Sequence, residues 1–360
     1  MLSRLISFTL AASVLSPAVP AFAEENRSAY VVTDLVANRS GVSTNPKVTL
    51  DPKLINPWGL AFGGGPVWTA NNGSDSSSLY NGKGAFVAVF GTPTSPTGIV
   101  WNSNARLFTL PVAPKATTTT SASFIFSHED GEISAWSGAL TNPASAVSVW
   151  PANPAVSYKG LALGADGNAT YLYAADFKGG KVDVFSSKFA PAKLACGFQD
   201  PLLPKGYAPF GIQNIAGDIV VAYALQADAN GNEAHGAGLG RVDIYTAAGC
   251  LSRRLQDTGT FNAPWGIALA PASFGKHGGQ LLVGNFGSGW IGAYDFHSGE
   301  FQGYLKNAND KIITIDGLWG IAFGNGAAAQ ATNTLFYAAG ANQEADGLYG
   351  RIDAVLTKDD

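Results

Sequence analysis

Six short segments of the chain share one pattern, in which a glycine is followed by an apolar residue, and in five of the six by at least three consecutive apolar residues. In four of them an aromatic residue precedes the glycine, as in Trp58-Gly59 and Trp319-Gly320. Such apolar runs do not alternate with polar positions, which predicts strands that are buried on both faces. The six segments are residues 56–62, 95–101, 158–163, 208–212, 262–269 and 317–323.

The spacing of these segments predicts an all-β, six-bladed β-propeller. Their glycines lie 39 to 62 residues apart, and strand-rich repeats of about 40–50 residues are typical of propeller blades. Second and third strands follow each segment, and fourth strands are expected at 86–90, 146–150, 193–198, 251–256 and 301–306. The sixth repeat lacks a fourth strand, so residues 30–36 are expected to complete it and close the ring. A β-sandwich or two β-domains is the alternative.

The first residues have the layout of a secretory signal peptide. A short basic start and an apolar run precede Ala21-Phe22-Ala23, a small-x-small cleavage site. The apolar run is too short to span a membrane; a buried N-terminal helix is the alternative. We therefore predict a signal peptide at 1–23 and a single propeller domain at 24–360, exported to the periplasm or the extracellular space, with no membrane span.

Composition and charge narrow the choice of partners. Only 13% of residues are charged, the formal net charge is −4, and no basic stripe is present, so a nucleic-acid partner is not expected. The Gly-rich stretch 236–240 does not open a predicted helix, and neither a nucleotide nor a haem cofactor is expected. Cys196 and Cys250 lack the spacing of a zinc site, and whether they form a disulfide stays open at this stage.

Polar residues cluster where the second strands end. In a propeller the start of each first strand and the end of each second strand lie at the same opening of the channel, here called the mouth. Carboxylates and amides that converge from several loops could hold a hard cation such as Ca²⁺, or a small molecule, glycan or protein. The expected ligand-binding residues are Asn71, Asp130, Gln226, Asp228, Asn342 and Glu344. Alternatively, these side chains only cap turns.

Two insertions and several aromatic residues also point to the mouth. Loops 226–240 and 342–347 should overhang it, as lids or binding loops or as solvated surface. Four aromatic residues could either stack on a sugar or fill the core between the blades, and core packing is the preferred interpretation: Trp58, Phe210, Trp265 and Trp319.

The ordered strings NPWGLAF, FSHEDGEISAW, APFGIQNI, APWGIALAP, LLVGNFGSGWIGAYD and IDGLWGIAFGNG resemble an uncharacterised exported bacterial family of propellers. More distantly, the blade pattern is similar to NHL-repeat and senescence-marker-protein/gluconolactonase-like propellers. That similarity implies a metal held by Glu, Asn and Asp side chains. Asn72, Asp176 and Asn285 match those positions loosely, Asn56 stands where an acidic ligand is wanted, and Glu129 could supply a carboxylate from another blade.

Two functions follow from these observations. The first is an exported module that binds a ligand or protein through the mouth. The second is a Ca²⁺-dependent hydrolase or lactonase, with Asn72, Glu129, Asp176 and Asn285 as metal ligands. The sequence contains no GxSxG nucleophile elbow and no HExxH pair, which favours the binding module.

Overall fold

The computed structural model describes residues 28–356, which form six β-sheets arranged around a central channel. The signal peptide predicted at 1–23 lies outside the described residues. Among those residues, no helix is long and apolar enough to cross a membrane. The six-bladed propeller predicted from the repeat is confirmed.

The strands are numbered in chain order. Blade 1 contains β3 (Pro57–Phe62), β4 (Val67–Asn71), β5 (Ser76–Tyr80) and β6 (Phe86–Gly91). Blade 2 contains β7 (Pro96–Trp101), β10 (Phe124–His128), β11 (Ile133–Trp136) and β12 (Val147–Trp150), with a hairpin of β8 (Thr109–Pro111) and β9 (Thr119–Ser121) beside it. Blade 3 contains β13 (Tyr158–Asp166), β14 (Ala169–Asp176) and β15 (Lys181–Ser186).

The second half of the ring follows the same plan. Blade 4 contains β16 (Tyr207–Ile215), β17 (Asp218–Leu225), β18 (Arg241–Tyr245) and β19 (Leu251–Arg254). Blade 5 contains β20 (Pro264–Leu269), β21 (Leu281–Asn285), β22 (Ile291–Tyr294) and β23 (Phe301–Tyr304). Blade 6 contains β24 (Leu318–Phe323), β25 (Thr334–Ala339), β26 (Leu348–Leu356), β1 (Ser28–Ala37) and β2 (Thr49–Leu50). Two short 3-10 helices span Asn72–Ser74 and Gly275–His277.

The ring closes through the N-terminal strand, as the sequence predicts. Strand β1 pairs antiparallel with β26, from Ser28 opposite Leu356 to Ala37 opposite Leu348. The first and last described strands therefore share blade 6, and the ladder between them holds the ring together. Because the ring is closed, each blade packs between two neighbouring blades.

The repeated glycines explain how closely the inner strands pack. A Cβ atom on Gly266 would lie 2.4 Å from the carbonyl oxygen of Trp319, and one on Gly320 would lie 2.5 Å from that of Trp58. Any side chain there would push neighbouring blades apart. The recurring glycine thus marks the contact between adjacent inner strands, the role that the sequence pattern assigns to it.

Blade 3 departs from the prediction. Its sheet has three strands, and the expected fourth strand at 193–198 does not form. Instead, the backbone N–H groups of Cys196 and Phe198 donate to Ala248 and Gly249 in blade 4, both at 3.0 Å. Cys196 is also joined to Cys250 by a disulfide. The diversion of this segment to blade 4 is therefore a tertiary effect that the strand pattern does not reveal.

Candidate functional site

A cluster of buried aromatic rings closes the channel at its mouth. We call it the aromatic plug; it consists of Trp58, Phe177, Phe210, Phe286, Trp265 and Trp319. The rings of Trp58 and Trp319 stack at 3.6 Å, and Phe286 stacks on Trp319 at 3.9 Å. Trp58, Phe210, Trp265 and Trp319 are at most 9% exposed. The core-packing interpretation of these residues is therefore confirmed.

Beneath the plug, little space remains in the channel. The cavity between the inner strands measures about 30 Å³ and is lined by motif glycines and by Ile and Leu side chains. It has room for about two water molecules. A ligand of any size must therefore bind above the plug, among the loops of the mouth.

Lys159 is the unexpected residue of the mouth. It occupies the position before Gly160 in the repeated pattern, where Trp58, Trp265 and Trp319 stand in other blades. Its side chain is 5% exposed, and its Nζ lies 2.5 Å from Oε1 of Glu129. The same ammonium lies 5.1 Å from the centre of the Trp58 ring, within the range of a cation–π interaction. A lysine in register with buried aromatic residues was the sequence signal that could have revealed it.

A chain of hydrogen bonds links Glu129 to blades 1 and 6. Asn72 Nδ2 donates to Glu129 Oε2 at 3.0 Å, and Asn56 Nδ2 donates to Asn72 Oδ1 at 3.3 Å. Trp319 Nε1 in turn donates to Asn56 Oδ1 at 3.0 Å. Because these bonds connect the polar layer to the plug, the Glu129 carboxylate is fixed in place over the channel.

Two further carboxylates, those of Glu233 and Glu344, come from the predicted mouth loops. Burial raises the pKa of Glu344, nearby Glu233 and Glu129 raise it further, and Lys159 together with a hydrogen bond from Asn56 lowers it. His235 Nε2 lies 3.4 Å from Glu233 Oε1, and this contact raises the pKa of His235, with a further contribution from Glu344. Loops 226–240 and 342–347 therefore do bring charged side chains to the mouth. Glu233 and His235 lie on the first of these loops and were not among the predicted site residues.

The loop that bears Glu344 has an unusual backbone. Asn342, Gln343 and Glu344 have φ values of 54°, 56° and 67°, so three consecutive residues with side chains lie in the left-handed region. The Glu344 N–H donates to Gly340 at 3.1 Å, and Asn342 Nδ2 donates to Asp346 Oδ2 at 2.6 Å. Buried Asp346 also bonds Arg39. The left-handed turn is thus held at both ends.

The structure does not bring the four predicted metal ligands together at one site. Asn72 and Glu129 touch each other above the plug. Asp176 and Asn285 are fully buried. Asp176 Oδ1 accepts the backbone N–H groups of Ser157 and Gly179, and Asn285 Oδ1 accepts that of Asn262. Within residues 28–356, no group of three or more His, Cys, Asp or Glu side chains has the geometry of a metal site.

The predicted ligand-binding residues mostly bond within their own turns. Buried Asn71 donates to Ser76 and Ser78. Asp130 and Asp228 accept backbone N–H groups two residues ahead, those of Glu132 and Asn230, as turn caps do. Gln226 Nε2 donates to the Phe177 carbonyl at 2.6 Å. Of this set, Glu344 is the residue that joins the charged group of the mouth.

The fold and the mouth define a closed six-bladed propeller whose charged site lies above an aromatic plug. An uncharacterised protein of Acanthamoeba polyphaga mimivirus is 32% identical over 343 residues, which cover 90% of this chain and 80% of that protein. The chain belongs to the same family as this viral protein. A second uncharacterised protein of the virus is 30% identical over 290 residues, covering 78% of the chain and 53% of that protein. No family model matches the chain.

Solved structures support the fold. A protein of unknown function from Bacteroides thetaiotaomicron aligns with a TM-score of 0.56 at 10% identity, over 91% of this chain and 77% of the other. The PQQ-bound aldose sugar dehydrogenase of Streptomyces coelicolor aligns with a TM-score of 0.52 at 13% identity, over 92% and 99%. At these identities the likeness shows the fold alone. The relatives give no support to the expected bacterial, exported family.

Proposed function

We propose that the protein is a binding module that holds a small, amine-bearing ligand in its mouth. The observations that carry this proposal are the contact of Glu129 with the buried ammonium of Lys159 and the electrostatic interaction of Glu344 with Glu233, Glu129 and Lys159. With His235 protonated, the mouth still holds one more negative charge than positive. A ligand ammonium would offset this excess and the repulsion from Glu233 and Glu129 that, in addition to burial, raises the pKa of Glu344.

The strained turn supports a binding role for Glu344. A left-handed conformation costs about 1–2 kcal/mol for each residue with a side chain, and three such residues stand in sequence here. Backbone strain of this kind is concentrated at functional sites, where the surrounding structure holds it in place. A turn that served only to connect β25 and β26 would not need it.

The plug supports a cationic ligand in a second way. Ring faces attract ammonium groups, and Lys159 already uses the Trp58 ring in this manner. Phe286 is only half-buried at the edge of the plug and lies against His235, with ring centres 5.1 Å apart. Phe286 therefore connects the plug to His235, which lies next to the Glu233 carboxylate.

The test uses isothermal titration calorimetry with putrescine, agmatine and glucosamine, and with glucose as the uncharged comparison. We expect the amines to bind, and Glu344→Gln to weaken them at least tenfold, while glucose gives no signal. Glu300→Gln, an exposed carboxylate in the turn of blade 5, is the matched control and should change nothing. Amines that do not bind, or that bind Glu344→Gln and Glu129→Gln as tightly as the unaltered protein, would contradict the proposal.

A Ca²⁺-dependent hydrolase or lactonase remains the second candidate. Two of its four predicted ligands, Asn72 and Glu129, are in contact, but Asn72 offers Glu129 its amide nitrogen, which does not bind Ca²⁺, so this candidate is the less favoured of the two. Calcium chloride is therefore included in the same titrations. A calcium-induced rise in the melting temperature that Glu129→Gln abolishes would support this candidate over the amine-binding module.

We also propose that the protein acts outside the cytoplasm. The predicted signal peptide supports this, as does the Cys196–Cys250 disulfide, because such bonds persist in oxidising compartments. N-terminal sequencing of the mature protein should begin at Glu24. A mature chain that begins at Met1 would contradict export.

A further inference from the structure

The three-stranded blade leaves a groove where its neighbours have a fourth strand. The groove encloses about 580 Å³, which falls within the range of ligand-binding clefts. One wall is β15, and the other is residues 191–198, the segment that diverts to blade 4. We call this cleft the blade 3 groove. The disulfide between Cys196 and Cys250 holds its second wall away from β15.

The exposed edge of β15 has backbone groups without partners. The Ser186 N–H donates to Ala190, and the Ala192 N–H donates to the Val184 carbonyl, both at 2.8 Å. After Ala192 the chain no longer pairs with β15. Because successive residues of an antiparallel strand direct their backbone groups to opposite sides, the N–H of Val184 and both backbone groups of Val182 face the groove. None of the described residues forms a backbone hydrogen bond with them.

Shape and charge indicate which molecule fits. Outward N–H and C=O groups in strand register are complementary to another extended backbone, and peptides recognised in this way add a strand to an open sheet edge. Val156, Phe185 and Leu194 line the groove and would accept apolar side chains. Lys193 lines it too, is exposed and has no ion-pair partner among residues 28–356. An acidic side chain would complement it.

We propose that the blade 3 groove binds an extended peptide segment of a partner protein, with apolar residues and an acidic residue, as the missing fourth strand of blade 3. The groove lies at the outer side of the blade, whereas the mouth lies at the channel. The proposal is therefore independent of amine binding, and either can fail without the other.

The test is selection of phage-displayed random heptapeptides on the intact, oxidised protein, followed by affinity measurement of the enriched peptides. The variant Val184→Pro removes one N–H that faces the groove and leaves the hydrogen bonds to β14 in place, because proline is tolerated at strand edges. The matched control is Val89→Pro in β6. The N–H of Gly91 donates away from that sheet, to Ala144 at 2.9 Å, so Val89 also faces outward, but at an edge without a groove.

We expect enriched peptides to contain an acidic residue and alternating apolar residues, and to lose at least tenfold in affinity on Val184→Pro and on Lys193→Glu but not on Val89→Pro. Circular dichroism checks that each variant is folded. Should Val184→Pro unfold, N-methylation of alternate peptide bonds in the best peptide replaces it, because one set of positions should abolish binding and the other should not. The proposal is overturned if no heptapeptide is enriched, or if the affinity of the peptides is unchanged both by Val184→Pro and by N-methylation of the peptide.

Discussion

The ammonium of Lys159 lies 2.5 Å from a carboxylate oxygen of Glu129, and the lysine side chain is almost entirely buried. This pair joins blade 3 to blade 2 directly above the aromatic plug. Since the two residues come from different repeats, their contact depends on the radial arrangement of the blades. Both members of the pair also interact electrostatically with Glu344 of the mouth.

Breaking this pair should be costly. Glu129→Gln leaves the ammonium buried without its counter-charge, and we expect a loss of about 3 kcal/mol in the free energy of unfolding, measured in urea. Lys306→Gln, which breaks the exposed pair with Asp310, should cost less than about 1 kcal/mol. The double variant Lys159→Met/Glu129→Gln should recover part of the loss, and equal losses in Glu129→Gln and Lys306→Gln would refute this account.

The contact between inner strands gives a second prediction. Gly266→Ala places a Cβ 2.4 Å from a backbone oxygen that cannot move without shifting a blade, and we expect a loss of about 1–3 kcal/mol. Gly64→Ala, where nothing lies within 4 Å, is the control. Thermal unfolding of the two variants should differ by several degrees, and identical curves would show that the blades are not closely packed there.

The disulfide should stabilise the protein by closing a long loop. Cys196 and Cys250 are 54 residues apart, and a bridge of this span contributes about 2–4 kcal/mol. The variant Cys196→Ala/Cys250→Ala should unfold at correspondingly lower urea concentration. Dithiothreitol should destabilise the unaltered protein and leave the variant unchanged. If dithiothreitol does not change the stability of the unaltered protein, the disulfide contributes nothing to that stability.

A buried carboxyl pair in blade 4 predicts a dependence of stability on pH. Burial, together with the neighbouring Asp200 carboxylate, raises the pKa of Asp243 to about 7. Arg254, which donates to Asp200 Oδ2 at 2.7 Å, holds the pKa of Asp200 below its ordinary value. Asp243 therefore binds its proton more tightly in the folded than in the unfolded protein.

The sign of the effect follows from that difference. The contribution of Asp243 is fully present below its ordinary pKa of 3.8 and is lost as the pH rises towards about 7. We expect Asp243→Asn to match the unaltered protein at low pH and to be more stable than it at pH 8. Asp310→Asn, at an exposed site, should follow the unaltered protein throughout. A variant that loses stability equally at every pH would disprove the raised pKa of Asp243 as the cause.

Much of the architecture could be predicted because every blade repeats the same short sequence pattern. The glycine that precedes each apolar run marks the place where backbones meet, and this requirement is the same in every blade. The closing role of the first strand followed from simple counting of strands. The mouth loops could likewise be located, because the second strand of each blade ends at the mouth, so a polar insertion that follows it must lie there.

The individual roles of the polar residues could not be predicted from the strand ends. Asp176 and Asn285 look like ligands in the sequence, yet they accept backbone N–H groups from the segments that precede the first strands of their blades, those of Ser157 and Asn262. Lys159 lies inside a strand pattern and looks like an ordinary repeat residue, yet it is central to the mouth. The same side-chain chemistry serves a cap or a site, depending on which neighbours lie within hydrogen-bonding distance.

The number of blades, their order and the closure of the ring can be inferred without coordinates, because each of these depends on short-range pattern and chain connectivity. Which charges meet above the plug, and the departure of residues 193–198 from blade 3 to blade 4, become visible in the folded protein. The two groups of features differ in the distance along the chain over which the partners are chosen. Backbone pairing within a repeat is fixed by neighbours along the chain, whereas the partners of Glu129 and Cys196 come from other blades and are set by how the blades pack.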